Sequence, residues 1–505
     1  MPVVRLTFPP ANLSQHLIGL AARREGAVWL DTSSALGSPS EWSYFACEPA
    51  LWIRGKGSVL EIVAGPRGDR GWLDRALKAD PGPGLAFDRL TAILDKLHLS
   101  ASHSSPTTDE HPQFRGGLIG CFSYDLGRQF EDIEESLPSD PSWDFHLGLY
   151  DEVLAFRAET GEAIYHRLPG GGSSLLEALS EEARAQTDVP AGRRFNRHAG
   201  CDSEPTPELD ESAHREYVET IRSHIRNGDV YQVNLTFRFS APCSDPDAPL
   251  ASFVRLRTAN PSPFGAYLNL PDCSIVWASP ESFLRVDSNG RAESRPIKGT
   301  RARGIVGTGE DDAERQALLR SAKDRAELSM IVDLVRNDLG RVCVPGSVSQ
   351  QPALEAEAHP TVWHLVGDVS GQLAPGRQAL TLLQASFPPG SCIGAPKIRA
   401  MGIIEHLEGS RRGPYTGALG WLGLDGSMGL SVAIRTLVFR DDRVSYGVGG
   451  GIVYESQPRA EWEEALLKGR ALREALRSTH AEVSSMRPRR PQEARQRPRM
   501  VRSIS

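Results

Sequence analysis

Tyr231-Gln232-Val233-Asn234-Leu235-Thr236-Phe237-Arg238-Phe239 is the clearest strand in the chain. Its odd-numbered residues are apolar, and its even-numbered ones carry amide, hydroxyl or guanidinium groups. A period of two sends the first set into a core and leaves a hydrogen-bonding face that is either wet or lines a cleft. Just upstream, Val218, Ile221 and Ile225 share one face of a helix expected over about 212–226, ended by Asn227-Gly228.

Outward from that strand the pattern stays rich in β-structure. Strands are expected at 28–31, 51–53, 116–125, 274–279, 283–286, 417–439 and 444–454, and helices at 85–97, 311–338, 396–408 and 460–477. Between 176 and 207 the sequence loses apolar pattern, which marks a linker between an N-terminal region (1–175) and a second region (208–478). The Arg- and Pro-rich end, 485–505, reads as a disordered tail.

Composition narrows the function. A chain of 505 residues with 40% hydrophobic and 24% charged residues is that of a globular protein. Its net charge of -7 speaks against a nucleic-acid binder, whose phosphate contacts need a basic face. Seven cysteines without regular spacing fit reduced thiols. With no membrane-length apolar run and no leader-like start, the expectation is a cytoplasmic protein.

The chemistry gathers downstream of the first strand. Lys298 lies in Arg295-Pro296-Ile297-Lys298-Gly299-Thr300, and nearby Arg301 and Arg303 add to a positive field that favours a free, nucleophilic amine. Asp324 and Glu327, and likewise Glu461 and Glu464, stand three apart on expected helices, so each pair points one way. They are either solvated faces or hard oxygen ligands of the kind Mg²⁺ accepts. Gly390-Ser391-Cys392-Ile393-Gly394 has the form of a nucleophile elbow, but its partners His406 and Glu408 follow too closely in sequence. Gly447-Val448-Gly449-Gly450-Gly451-Ile452 fails as a dinucleotide fingerprint, because a strand continues where a helix should start.

Several ordered stretches match one family together. They are 228–235, Ser279-Pro280-Glu281-Ser282-Phe283, 295–300, 327–339, Gly394-Ala395-Pro396-Lys397, Tyr415-Thr416-Gly417 and 449–453. Across about 28–476 the chain resembles the chorismate-utilising enzymes, most closely the component I subunits that form aminodeoxychorismate. The resemblance implies an α+β fold of large antiparallel sheets packed face to face with helices outside, its N-terminal region interleaved with the core. It implies Lys298 as a nucleophile toward the chorismate ring and Glu281 as the acid that protonates the departing hydroxyl. It implies Mg²⁺ on Glu327 and Glu464, with Asp324 and Glu461 behind them through water. Thr300, His364, Ser391, Tyr415, Arg435 and Lys468, with the backbone of Gly449, Gly450 and Gly451, are implied to hold the substrate.

Two positions select the branch. Gln232 stands where water-adding relatives carry a lysine base, and an amide cannot take a proton from water. A lysine at 298, where anthranilate synthases typically have alanine, resembles the aminodeoxychorismate branch. Ammonia would then come from a separate glutamine amidotransferase subunit, with the product directed to 4-aminobenzoate and folate. Ile393 replaces the family's usual Thr or Ser near the substrate side chain, and Trp29-Leu30-Asp31-Thr32 departs from a tryptophan-sensing Leu-Leu-Glu-Ser. The rival readings are an anthranilate synthase large subunit, a lysine-dependent pyridoxal-phosphate enzyme, and a catalytically silent binding or regulatory subunit.

Overall fold

Neighbouring residues of single strands go to different cores, as a period of two requires. Val28 and Leu30 share an apolar cluster with Ile119, Cys121, Ile275, Trp277, Leu419 and Trp421. Trp29, Phe45, Val276 and Leu437 face the other way, onto Leu13 and Leu17, Phe253 and Leu472 of three helices. Leu118, Phe122, Ala418 and Leu422 pack with Leu90, Leu328, Val332 and Leu383 of three more. The first cluster therefore lies between two sheets and the others lie beneath helices on the outside. Each fully buried Leu, Ile or Phe in these layers contributes about 1.5–3 kcal/mol.

The computed structural model describes residues 3–7, 10–32, 42–68, 70–98, 111–185, 195–305, 307–350, 355–359 and 362–478. Their strands make three antiparallel sheets. The first runs Val3–Thr7, Glu162–Arg167, Glu152–Phe156, Ser43–Ala46, Val28–Asp31, Phe264–Asn269, Ser274–Ser279, Thr436–Arg440, Arg443–Ile452, Gln232–Pro242, Thr206–Pro207. The second runs Ser349–Gln350, Val369–Gln372, Arg291–Arg295, Ser282–Val286, Met428–Val432, Ala418–Gly423, Gly117–Phe122, Phe145–Tyr150, Leu51–Lys56, Val59–Ala64. A small third sheet holds Ile297–Ala302, Val362–Val366 and Glu355–Ala358. Both large sheets draw strands from before and after 176–207, so the two halves are interleaved. This is the α+β architecture of face-to-face sheets expected from the sequence.

Three local expectations change. The helix expected over 311–338 is two, Gly309–Arg320 and Ala322–Gly340. Ser321 turns the chain between them and caps the second, its hydroxyl accepting from the Asp324 N–H at 3.3 Å. The first part of the expected linker lies in the helix Ser174–Ala185, which buries Leu175, Ala178 and Leu179. The polar face of the 232–242 strand is not wet: Gln232, Asn234 and Thr236 are all buried. The 485–505 tail lies outside the described residues.

Candidate active site

Two crossings between the large sheets build the site. Strand Ser274–Ser279 belongs to the first sheet and Ser282–Val286 to the second, so Pro280-Glu281 is where the chain passes between them. Met428–Val432 and Thr436–Arg440 are related in the same way, with Arg435 in the passage at φ 52°. The two passages touch. The Ala278 N–H donates to Arg435 O at 3.1 Å and the Val432 N–H to Glu281 O at 3.1 Å. Tyr415 precedes strand Ala418–Gly423 beside them, where the Thr416 N–H donates to Ala433 O at 2.8 Å.

Glu281 is only 6% exposed. Burial raises its carboxyl above the ordinary value, while Lys298, the Ser391 hydroxyl and the Ile297 N–H pull the other way without cancelling that rise. A carboxyl whose neutral form is favoured by burial is suited to donate a proton. Lys298, half-buried, donates to Ser391 O at 3.2 Å. Its strand pairs Lys298 with Leu365 and Thr300 with His364, and the register slips between them at Gly299. Gly299 has φ 74°, and a Cβ there would lie 2.9 Å from both Cβ and Cγ of Asp324. This bulge sets the direction of the lysine and brings it against the helix Ala322–Gly340.

The arginines around Lys298 do not act as the sequence suggested. Arg295 pairs with Glu357 at 2.9 Å and Asp368 at 3.6 Å, Arg301 with Glu314 at 3.4 Å and Arg303 with Asp311 at 2.5 Å. Their field is neutralised locally, and the charges that act on Lys298 come from Glu281, Glu327 and Glu464.

Those carboxylates come from two helices, Ala322–Gly340 and Pro458–Ala475. Burial raises Glu327, and Asp324 and Glu464 add to the rise against Lys298 and Lys323. Glu461 is raised by burial and by Glu464. Burial pushes Glu464 up as well, but Lys468, Lys323 and Lys298 bring it below its ordinary value. Lys468 lies 2.8 Å from Glu464 and donates to Gly449 O at 3.0 Å; Lys323 lies 3.8 Å from Glu327. Lys323 was missed in the sequence, though its i, i+4 spacing to Glu327 was there to read. Among the described residues no three acidic, histidine or cysteine side chains converge on one point.

The remaining expected residues surround this cluster. Gly449, Gly450 and Gly451 lie in strand Arg443–Ile452, paired on one side with Gln232–Pro242; on its other side the described pairing ends at Tyr446. Among the described residues no further strand pairs with them there, and Gly449 O accepts from Lys468 instead. A Cβ at Gly451 would lie 2.3 Å from Gln232 Nε2, and the buried Gln232 amide has no hydrogen-bond partner among the described residues. His364 is buried and pushed down to about 3 by burial, His359 and Arg435, so it is a neutral imidazole. Thr300 stands exposed opposite it. The Tyr415 phenol is raised by burial and stays a hydroxyl. Arg435 has no ion-pair partner among the described residues, which suits an anionic ligand.

A network beneath the site was not read from sequence. Asn234 Nδ2 donates to Cys392 O at 2.9 Å, Thr236 Oγ1 to Glu408 Oε1 at 2.8 Å, and Arg412 grips Glu408 at 2.7 and 2.9 Å. Arg412 also donates to Cys392 O at 2.8 Å and Asn234 O at 2.7 Å. The polar face of the central strand thus ties down the loop that carries Ser391. Cys392 is buried and pushed up to about 11 by burial, Glu408 is held by Arg412, and His406 is exposed. The elbow is not a nucleophile site. Ile393 is fully buried among Val218, Ile221 and Val233, so the missing hydroxyl leaves no gap in the cleft.

Comparison with known proteins identifies the family and supports the fold. The family model described as chorismate binding enzyme matches residues 75–474, and the chain belongs to that family. It is 34% identical over 488 residues to aminodeoxychorismate synthase component 1 of Bacillus subtilis, covering 95% of this chain and 97% of that one. It is 36% identical to the aminodeoxychorismate synthase of Streptomyces pristinaespiralis over 92% of its own length, but spans only 63% of that relative. Anthranilate synthase component I of Streptococcus pneumoniae superposes with a TM-score of 0.69 at 31% identity, covering 86% of this chain and 92% of that one. No helix among the described residues is long and apolar enough to cross a membrane.

Proposed function

We propose that the chain aminates chorismate with ammonia to 4-amino-4-deoxychorismate, the ammonia being delivered by a glutamine amidotransferase subunit. The observation that carries this reading is the half-buried Lys298 amine against the Ser391 carbonyl, within the field of the buried Glu281. Lys298 Nζ attacks C2 of the ring, and the double bonds shift. The C4 hydroxyl leaves as water with the proton of Glu281. Ammonia then attacks C4, the double bonds shift back, and the C2–N bond breaks to return the lysine as an amine. Covalent catalysis divides one hard substitution into two easier ones.

Arg435, Tyr415 and Ser391 hold the enolpyruvyl side, the neutral His364 packs by the ring, and Thr300 closes the open flank. The backbone of Gly449 to Gly451 meets the ring carboxylate. Glu464 raises Glu327 on the other helix and Glu461 on its own, a proximity of carboxylates that suits a hard cation. Mg²⁺ held by Glu327 and Glu464, with Asp324 and Glu461 behind, would neutralise the ring carboxylate and the acidic cluster around Lys298. It would replace lysine contacts that are worth little at an exposed rim.

The test is the intact mass of the protein after chorismate is added without ammonia. A ring adduct is expected, absent from Lys298→Ala; equal masses in both proteins refute the nucleophile. The second reading, an anthranilate synthase, is favoured by the likeness to the Streptococcus pneumoniae enzyme. Release of anthranilate and pyruvate from chorismate, ammonia and Mg²⁺ would select it.

A further inference from the structure

Beside Glu281 lies a cavity of about 20 Å³. Its walls include Glu281, Asp338, Ser386 and Ser391, with Ile331 and Val335 on its apolar side. That volume suffices for one water, which needs about 10–15 Å³ and two or more polar partners. Ser386 ends the helix Ala379–Ser386 and is 2% exposed. Its hydroxyl has no hydrogen-bond partner among the described residues, an arrangement that is unfavourable if left dry. Asp338 completes the wall, held by Lys397 Nζ at 3.0 Å. Lys397 also donates to Ser386 O at 2.8 Å, and its side chain keeps a 10% exposed edge to solvent.

We infer that this cavity holds a single water, bonded to Ser386 Oγ, through which Glu281 regains its proton after each turnover. The inference rests on Glu281 being the acid of the proposed amination. Once substrate fills the cleft, the buried carboxylate is cut off from solvent on that side. The water gives one proton to a Glu281 oxygen as it takes one from solvent beside Asp338 and Lys397, so it remains a neutral water. No heavy-atom bond changes and no electron is transferred. Ser386 is thus a positioning residue, acting on Glu281 through the water.

The experiment compares Ser386→Ala and Ser386→Thr with the unaltered protein in a rapid-mixing assay and in crystals diffracting to about 1.5 Å. The first turnover precedes any reloading of Glu281, so the first burst of Lys298 adduct is expected to be unchanged in Ser386→Ala. Steady-state turnover falls at least tenfold at constant KM for chorismate, and Ser386→Thr restores most of it. Electron density is expected for one water between Ser386 and Glu281. A dry cavity, an unchanged steady state, or burst and steady state slowed alike each overturns the inference. If the unaltered protein forms no adduct at all, the lysine chemistry has failed, and the relay falls with it.

Discussion

Replacing Gly299 by alanine tests whether the bulge positions the lysine. An L-residue at φ 74° costs about 1–2 kcal/mol. The new methyl group would stand 2.9 Å from Asp324 Cβ and Cγ and 3.0 Å from Leu318 Cδ1. Those Asp324 atoms lie close to a helix backbone and cannot swing away, so overpacking adds about 1–3 kcal/mol. The strain has two outlets. If the fold keeps the bulge, the stability read from denaturant unfolding falls by about 2–5 kcal/mol. If the bulge opens instead, the register to Val362–Val366 slips and the amine moves, and a displacement near 1 Å lowers turnover about a hundredfold. Unfolding and chorismate turnover are measured on the same preparation. A variant with both unaltered refutes the claim that Gly299 sets the lysine.

Glu281→Gln is expected to abolish turnover yet stabilise the protein above about pH 4.5, the ordinary glutamate value. With its folded pKa raised, the carboxylate is penalised in the folded state, so the unaltered protein loses stability as pH rises through that window. Unfolding midpoints that coincide at pH 8 would contradict the burial argument. Glu327→Gln should raise the Mg²⁺ concentration for half-maximal activity at least tenfold, and an unchanged titration removes Glu327 from the metal site. Arg435→Gln should raise KM for chorismate about 10–100-fold through loss of a charge-assisted bond, and an unaltered KM rejects the anion contact. Glu408→Gln leaves the buried Arg412 unbalanced and should cost about 3–5 kcal/mol in denaturant unfolding, whereas a loss under 1 kcal/mol would mean that the pair is not holding the loop.

Much of the frame could be read from residue order because its signals are local. Alternation over 231–239 marked the strand that buries Val233, Leu235, Phe237 and Phe239, whereas the Ser321 cap that divides the helix expected over 311–338 was overlooked. Partner choice could not be read this way. Nothing near Lys298 indicates that Ser391, 93 residues on, supplies its hydrogen-bond acceptor. Arg295, Arg301 and Arg303 look like a free cationic field until folding brings them to Glu357, Asp368, Glu314 and Asp311. The polar residues of the central strand could have faced water or a cleft, and in the fold Asn234 and Thr236 bond the loop beneath the site. Side-chain type predicts the capacity to bond, whereas the fold selects the partner.

The interleaving of the sheets has a consequence for synthesis on the ribosome. Strand Val28–Asp31 pairs with Phe264–Asn269, so its neighbour is translated more than two hundred residues later. At about 5–20 residues per second the early strand waits roughly 10–50 s for it. Throughout that interval a sheet margin rich in Trp, Phe and Val is open to stray pairing with other nascent chains. Slowing translation is therefore expected to lower the yield of native protein, and added chaperone to restore it.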